Sequence, residues 1–311
     1  MKFARKMCIA LVLALTASVL SSITASAITF TPTSGVDEEG NPIPLELYSE
    51  SVYMMNLDTG DVIVDINGDE ERAPASLTKI MTAAVLLDEF DGDAERMKAE
   101  YVSAGSEAFD ELYGTGASTA DIRPYEEVNY YDLLAALMIP SSCEAANIIA
   151  INIAGSNSEF CDMMNEKAQE LGLENSHFSN AHGLFVSQNY SSCHDMAVLC
   201  KYLLDKYEVF EEIVAMPTYQ MEATDYHAEG SLLINTNYML SSSSYYYYSA
   251  VKGIKTGSLD AAGRCLASYA SYDGYNYLID TMGAPMDKRE EDVERGEEDR
   301  DSFYANDVIY Y

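Results

Sequence analysis

What most restricts the fold is a long helical stretch separating two regions of β-strand pattern. From Ser51 the chain reads SVYMMNL, then Asp58-Thr59-Gly60, then DVIVDIN. β-Branched and aromatic residues flanking a glycine-bearing turn predict a hairpin. The β period returns only at SAVKGIKT from Ser249 and continues through GRCLASYASY and YNYLIDTMG. Between these regions apolar residues recur at helical spacing, which predicts helices over 76–90, 130–138, 143–154, 159–171 and 193–206. Loops are expected at Gly114–Thr119 and Ile139–Ser142. Strands, a helical block and strands again imply one sheet whose two parts are distant in sequence. The expected class is α/β: an antiparallel sheet of about five strands flanked by helices, with a mostly helical subdomain inserted at about 91–215. No internal repeat is visible, and the SSSSYYYY run from Ser241 to Tyr248 reads as a surface loop ahead of a strand.

Lys2, Arg5 and Lys6 precede an uncharged apolar run from Met7 to Leu20, which ends near Ala25-Ser26-Ala27. These are the three parts of a secretory signal. The apolar run is shorter than the roughly 20 residues a membrane-spanning helix needs. Export with cleavage after Ala27 is therefore expected, leaving a leader over 28–46 and one domain over 47–311. With 51 Asp and Glu against 18 Lys and Arg, the net charge is −33. Nucleic acid and anionic lipid both require a basic face, so neither is expected as a partner. The charge itself speaks to a solvated surface rather than to fold. Apart from Cys8 in the signal, the cysteines are Cys143, Cys161, Cys193, Cys200 and Cys265, with no C-x-x-C pair and no zinc-finger spacing. They permit two disulfides at most, and equally permit five buried small hydrophobes.

Chemistry enters at Ser76-Leu77-Thr78-Lys79, just after Pro74, where a helix is expected to begin. Three residues of separation put the serine hydroxyl and the lysine amine on one helix face. A serine hydroxyl is a poor nucleophile without an adjacent base, and a desolvated neutral lysine can be that base. The helix start adds a positive end and free N–H groups for a developing oxyanion. Alone, an S-x-x-K spacing is also met by a helix cap followed by a surface lysine. A second element is Pro140-Ser141-Ser142-Cys143 between two helices, where a hydroxyl can relay a proton. A third is Lys255-Thr256-Gly257 on a strand, where a cation and a hydroxyl can hold a carboxylate and glycine admits a close backbone approach.

The order S-x-x-K, S-x-N-like, K-T-G resembles that of penicillin-recognising serine enzymes. The flanking blocks APASLTKIMTA, LMIPSSCEAANIIA, MNEKAQELGLENSHFSNAHGL, INTNYML and VKGIKTGSLDAAGRCL resemble the D-alanyl-D-alanine carboxypeptidases, the low-molecular-mass penicillin-binding proteins. The resemblance runs from about Leu47 to the C-terminus. It implies the β-lactamase/transpeptidase-like fold and a bacterial enzyme at the outer face of the cytoplasmic membrane or in the wall. It also implies roles. Ser76 would attack the carbonyl between two D-alanines of a peptidoglycan stem peptide, Lys79 would be the base, and Ser141 would pass the proton to the departing D-alanine. Lys255 and Thr256 would bind the terminal carboxylate, or the matching group of an inhibitory β-lactam. The N–H groups of Ser76 and Ser258, the latter just after Gly257, would form the oxyanion hole. No metal or organic cofactor is implied.

Two positions depart from the family pattern. Cys143 stands where Asn is commonest, and a thiol cannot supply an amide's geometry. An active enzyme with altered substrate grip or acyl lifetime is expected. The chain stops at Tyr311, whereas relatives continue through the helix expected from Ser302, often into a β-rich domain and an amphipathic anchoring tail. A chain truncated near its end is therefore expected, and membrane association only through an anchor this chain lacks. Arg300 falls near a family carboxylate-contacting arginine with uncertain register and carries little weight. His182 matches a structural loop, and a satisfied histidine is expected there rather than a triad or metal ligand.

Alternatives on the same scaffold are a D,D-endopeptidase, which sequence does not separate, and a serine β-lactamase. Against the latter, no E-x-x-L-N stretch lies between the second motif and K-T-G. A non-catalytic peptidoglycan-binding protein with a decayed site would be expected to have lost Ser76 or Lys79 first.

Overall fold

The computed structural model describes residues 28–30 and 45–286. The signal, most of the leader, the charged stretch over 287–301 and the expected helix from Ser302 lie outside the described residues. Two units divide between Tyr48 and Ser49. Within the first, β1 (Ile28–Phe30) pairs antiparallel with β2 (Leu45–Leu47).

The second unit begins with the predicted hairpin, β3 (Ser51–Asn56) and β4 (Val62–Ile66). The Asn56 side chain accepts from the N–H groups of Asp58 and Thr59 at 2.9 and 3.1 Å, and Gly60 takes a positive φ of 79°. That combination closes the turn. A 3-10 turn at Ala75–Leu77 then leads into α1 (Thr78–Glu89). After it come α2 (Ala94–Ala99), the paired strands β5 (Tyr101–Val102) and β6 (Val128–Asn129), α3 (Tyr130–Met138), α4 (Cys143–Ala154), α5 (Asn157–Leu171), α6 (Cys193–Lys206) and α7 (Glu208–Val214). A small hairpin, β7 (Thr218–Gln220) and β8 (Leu232–Ile234), precedes the last three strands. These are β9 (Val251–Leu259), β10 (Gly263–Tyr272) and β11 (Tyr275–Ala284).

The sheet order is β4-β3-β11-β10-β9, antiparallel throughout. As expected, it is one five-stranded antiparallel sheet assembled from both ends of the domain: Asn56 pairs with Tyr277 and Val52 with Thr281. Helix α6 packs across β3, β10 and β11. Helix α1 lies at the centre of the protein, since every residue from Thr78 to Leu87 is buried. A helix buried all round must present apolar or paired groups on every face, and the polar Thr78, Lys79 and Thr82 are each hydrogen-bonded.

Periodicity does not foresee α2, α7 or the paired strands β5–β6 and β7–β8, each too short to repeat its period more than about once or twice. The five cysteines after the signal are all free thiols, Cys161 half-buried and the rest buried. Cys193, Cys200 and Cys265 pack in the hydrophobic core and Cys161 against it, and burial pushes the Cys161 thiol up to about 11.

Candidate active site

The site is built where α1 begins. Pro74 and Ala75 bend the chain, Ala75 at a positive φ of 48°, and the Leu77 N–H closes the turn on the Pro74 carbonyl at 3.1 Å. This leaves Ser76 partly exposed while both its neighbours, Ala75 and Leu77, are buried. One turn on, Lys79 is fully buried, and its Nζ lies 3.2 Å from Ser76 Oγ. The amine also donates to the His182 carbonyl at 2.5 Å and to Cys143 Sγ at 3.4 Å. Burial pushes the Lys79 amine below its ordinary value, while Cys143 and the nearby Glu144 pull it back up. No carboxylate is among those hydrogen bonds, and the lowering moves the amine toward the neutral form, the form able to take a proton.

The interhelical loop Ile139–Ser142 brings up the second wall. Ser142 caps α4, its hydroxyl accepting from the Ala145 N–H at 3.0 Å. Ser141 is therefore held just ahead of the helix, at a positive φ of 69°. Its hydroxyl is buried and takes no hydrogen bond, so it is unspent on structure. Cys143, the first residue of α4, turns its thiol to Lys79. The Cys143 N–H is anchored on the Ser118 carbonyl at 2.9 Å.

The third wall is β9, the edge strand of the sheet. At Gly257 it runs directly against the nucleophile turn: a Cβ there would stand 3.1 Å from the Pro74 carbonyl oxygen and 3.2 Å from the Ser76 nitrogen. The glycine of K-T-G is thus a contact between strand and turn. Lys255 is buried, its Nζ donating to the Thr256 carbonyl at 3.1 Å. Burial first, and then the charge of Lys79, push its amine well below the ordinary value. Lys79 and Lys255 thus lie close enough for a charge on one to disfavour protonation of the other. Thr256 Oγ1 meets Thr236 Oγ1 at 2.6 Å, and Ser258, the exposed residue after Gly257, contacts Met286 Sδ at 3.5 Å.

The structure thus puts the Lys79 amine in hydrogen-bonding reach of both Ser76 and Cys143 and sets Gly257 against the same turn. Among the described residues the Ser141 hydroxyl has no hydrogen-bond partner. Sequence reasoning missed the main-chain carbonyl of His182 and the hydroxyl of Thr236, because neither belongs to a motif with regular spacing. Gly183 signals the first. At φ 86° its Cβ would stand 2.0 Å from the Ala75 carbonyl oxygen, so the His182–Gly183 loop lies against the nucleophile turn. The His182 ring accepts from the Leu184 N–H at Nδ1 (3.1 Å) and faces Glu111 at Nε2 (3.1 Å). That fixes the Nε2–H tautomer, and the histidine is satisfied. Its carboxylate partner lies 71 residues away in sequence, out of reach of any local spacing rule. His194 similarly meets Asp69 at 3.0 Å.

A serine hydrogen-bonded to a buried lysine at a helix start, walled by an interhelical serine loop and an edge strand bearing K-T-G, is the arrangement of the penicillin-recognising serine class. The sequence profile of the D-alanyl-D-alanine carboxypeptidases, peptidase family S11, matches residues 37–286, and the chain belongs to that family. It is 32% identical over 263 residues to D-alanyl-D-alanine carboxypeptidase DacF of Bacillus subtilis, covering 84% of this chain and 64% of DacF. It is 31% identical to DacD of Escherichia coli over 88% of this chain and 69% of DacD. The chain therefore spans about two thirds of the length of these relatives. Among solved structures, the DD-transpeptidase of Streptomyces K15 superposes with a TM-score of 0.69 at 26% identity, covering 84% of this chain and 97% of that one.

Proposed function

We propose that this chain is an exported serine D,D-carboxypeptidase that removes the terminal D-alanine from peptidoglycan stem peptides through an acyl-enzyme at Ser76, and that β-lactams acylate it at the same oxygen. The observation that carries this reading is the 3.2 Å approach of the Lys79 amine, buried and shifted toward its neutral form, to Ser76 Oγ.

Lys79 takes the Ser76 proton as Oγ bonds to the carbonyl carbon between the two D-alanines. The resulting oxyanion faces the N–H groups of Ser76 and Ser258. Ser141, whose buried hydroxyl is uncommitted, passes the proton from Lys79 to the leaving nitrogen as the C–N bond breaks. Water then attacks the ester and returns the proton to Ser76. Lys255 and Thr256 receive the terminal carboxylate. The secretory-signal pattern at Lys2–Ala27 supports the exported location.

Labelling with a fluorescent penicillin, followed by D-alanine release from a stem pentapeptide, tests the reading. The wild type takes up label and releases D-alanine, while Ser76→Ala does neither. Labelling that survives Ser76→Ala, or fast turnover of the penicillin, would defeat it.

A further inference from the structure

Beside the acyl site lies a cleft of about 360 Å³ between the Ser241–Tyr245 loop and the Asn235–Asn237 segment, within the roughly 300–1,000 Å³ range of small-molecule sites. Its lining is uncharged. It is lined by the hydroxyl-bearing Thr218, Ser243 and Ser244 together with Tyr245 and Ile234. The last two are 67% and 61% exposed. The SSSSYYYY loop that forms one wall is pinned rather than loose. Tyr246 is buried with Met239 and Val251 in a satellite core, and the Tyr248 N–H bonds the Met239 carbonyl at 3.1 Å.

Donors and acceptors without charge, set against an exposed aromatic ring and an aliphatic side chain, match one ligand chemistry. A pyranose offers hydroxyls around its edge and a C–H face that packs on aromatic and aliphatic surface by dispersion. With no tryptophan in the chain, tyrosine is its one large aromatic with a polar tip. A stem peptide, which carries carboxylates and amines, would find no counter-charge in this cleft. Position points the same way. Thr236, between the lining residues Asn235 and Asn237, bonds Thr256 of the K-T-G strand at 2.6 Å, so cleft and acyl site share one short segment.

We infer that this cleft binds an N-acetylated amino sugar of the glycan to which the stem peptide is attached, holding the polymer while its peptide reaches Ser76. The inference rests on the carboxypeptidase reading for its choice of glycan.

The test uses a peptide-free probe, the tetramer of N-acetylglucosamine, titrated by calorimetry into wild-type protein, Tyr245→Ala and Ile234→Glu. Both substituted residues are exposed, and penicillin labelling reports whether each variant is folded. Saturable binding by the wild type, weakened about tenfold or more in both variants (about 1.4 kcal/mol), is the expected result. No saturable binding to the wild type, or equal affinity in the variants, overturns the inference. Wild-type D-alanine release from free pentapeptide, run alongside, reports on the reaction separately. Sugar binding without peptide turnover would remove the carboxypeptidase reading while leaving the cleft as a sugar site.

Discussion

Cys143 Sγ stands 3.4 Å from Lys79 Nζ, so the residue that departs from the family's usual Asn touches the proposed base directly. Cys143 is among the groups that raise the Lys79 pKa against burial. Lys79 must be neutral to accept a proton, and acylation therefore fades as pH falls below its pKa. In Cys143→Ala the supporting interaction is gone and burial acts with less opposition, so the acid limb of the acylation-rate profile moves to lower pH. Cys143→Asn restores a hydrogen-bond acceptor and keeps the limb nearer the wild type. Superimposable profiles for wild type and Cys143→Ala would show that the thiol does not tune the base.

Lys79→Arg keeps a cation at the same place but cannot lose its proton. Penicillin acylation should slow by about 10²–10⁴, the usual weight of general-base catalysis. A variant that acylates at near wild-type rate would mean that the amine acts only through its charge.

Gly183→Ala is expected to damage both the fold and the site. Its Cβ would stand 2.0 Å from the Ala75 carbonyl oxygen, at a φ of 86° that alanine rarely adopts. Denaturant unfolding should show a loss of about 1–3 kcal/mol, with slower acylation because the displaced loop also carries the His182 carbonyl that holds Lys79. Unchanged stability would contradict the close approach.

Asp88 ties α1 to α5 and α6. It forms an ion pair with Lys167 at 2.6 Å and accepts from Lys206 at 2.9 Å, from Tyr202 at 2.5 Å and from Tyr207. Burial pushes its carboxyl up, but these hydrogen bonds together hold it at about 2. A carboxyl lowered by folding stabilises the protein above its unfolded pKa, and that share is lost as pH falls from about 4 toward 2. Asp88→Asn should cost about 2 kcal/mol at neutral pH and flatten stability across that acid window in urea titrations. An unaltered acid limb would show that the cluster contributes little.

Asp280 behaves oppositely. It is fully buried in β11, neither carboxylate oxygen has a hydrogen-bond partner, and burial pushes its pKa well above the ordinary value. A raised carboxyl gives stability that is complete below about pH 4 and is lost as pH rises toward the folded pKa. Asp280→Leu removes this dependence and should raise the melting temperature at pH 8 more than at pH 4. Equal shifts at both values would mean that the carboxyl is already compensated.

Much of this protein is written locally. The hairpin at Ser51 follows from alternation and a glycine turn, and Ser76 and Lys79 share a face because a helix repeats every 3.6 residues. The K-T-G strand is legible as a strand for the same kind of reason. Legibility stops where partners come from elsewhere in the chain. Glu111 and His182, Asp88 and Lys167, and Thr236 and Thr256 meet through packing, and no short-range pattern encodes those meetings.

The amino-acid order alone determined the class of fold, the family and the pair proposed as nucleophile and base, because each rests on spacing within a few turns or on contiguous blocks. Tertiary structure decided the rest. It left all five cysteines after the signal as thiols, set Gly257 against the Ser76 turn, turned Cys143 onto Lys79 and buried Asp280. The reason is that burial, and the pKa shifts that follow from it, are properties of the assembled core. A residue's desolvation is set by what packs around it, which no segment can specify by itself.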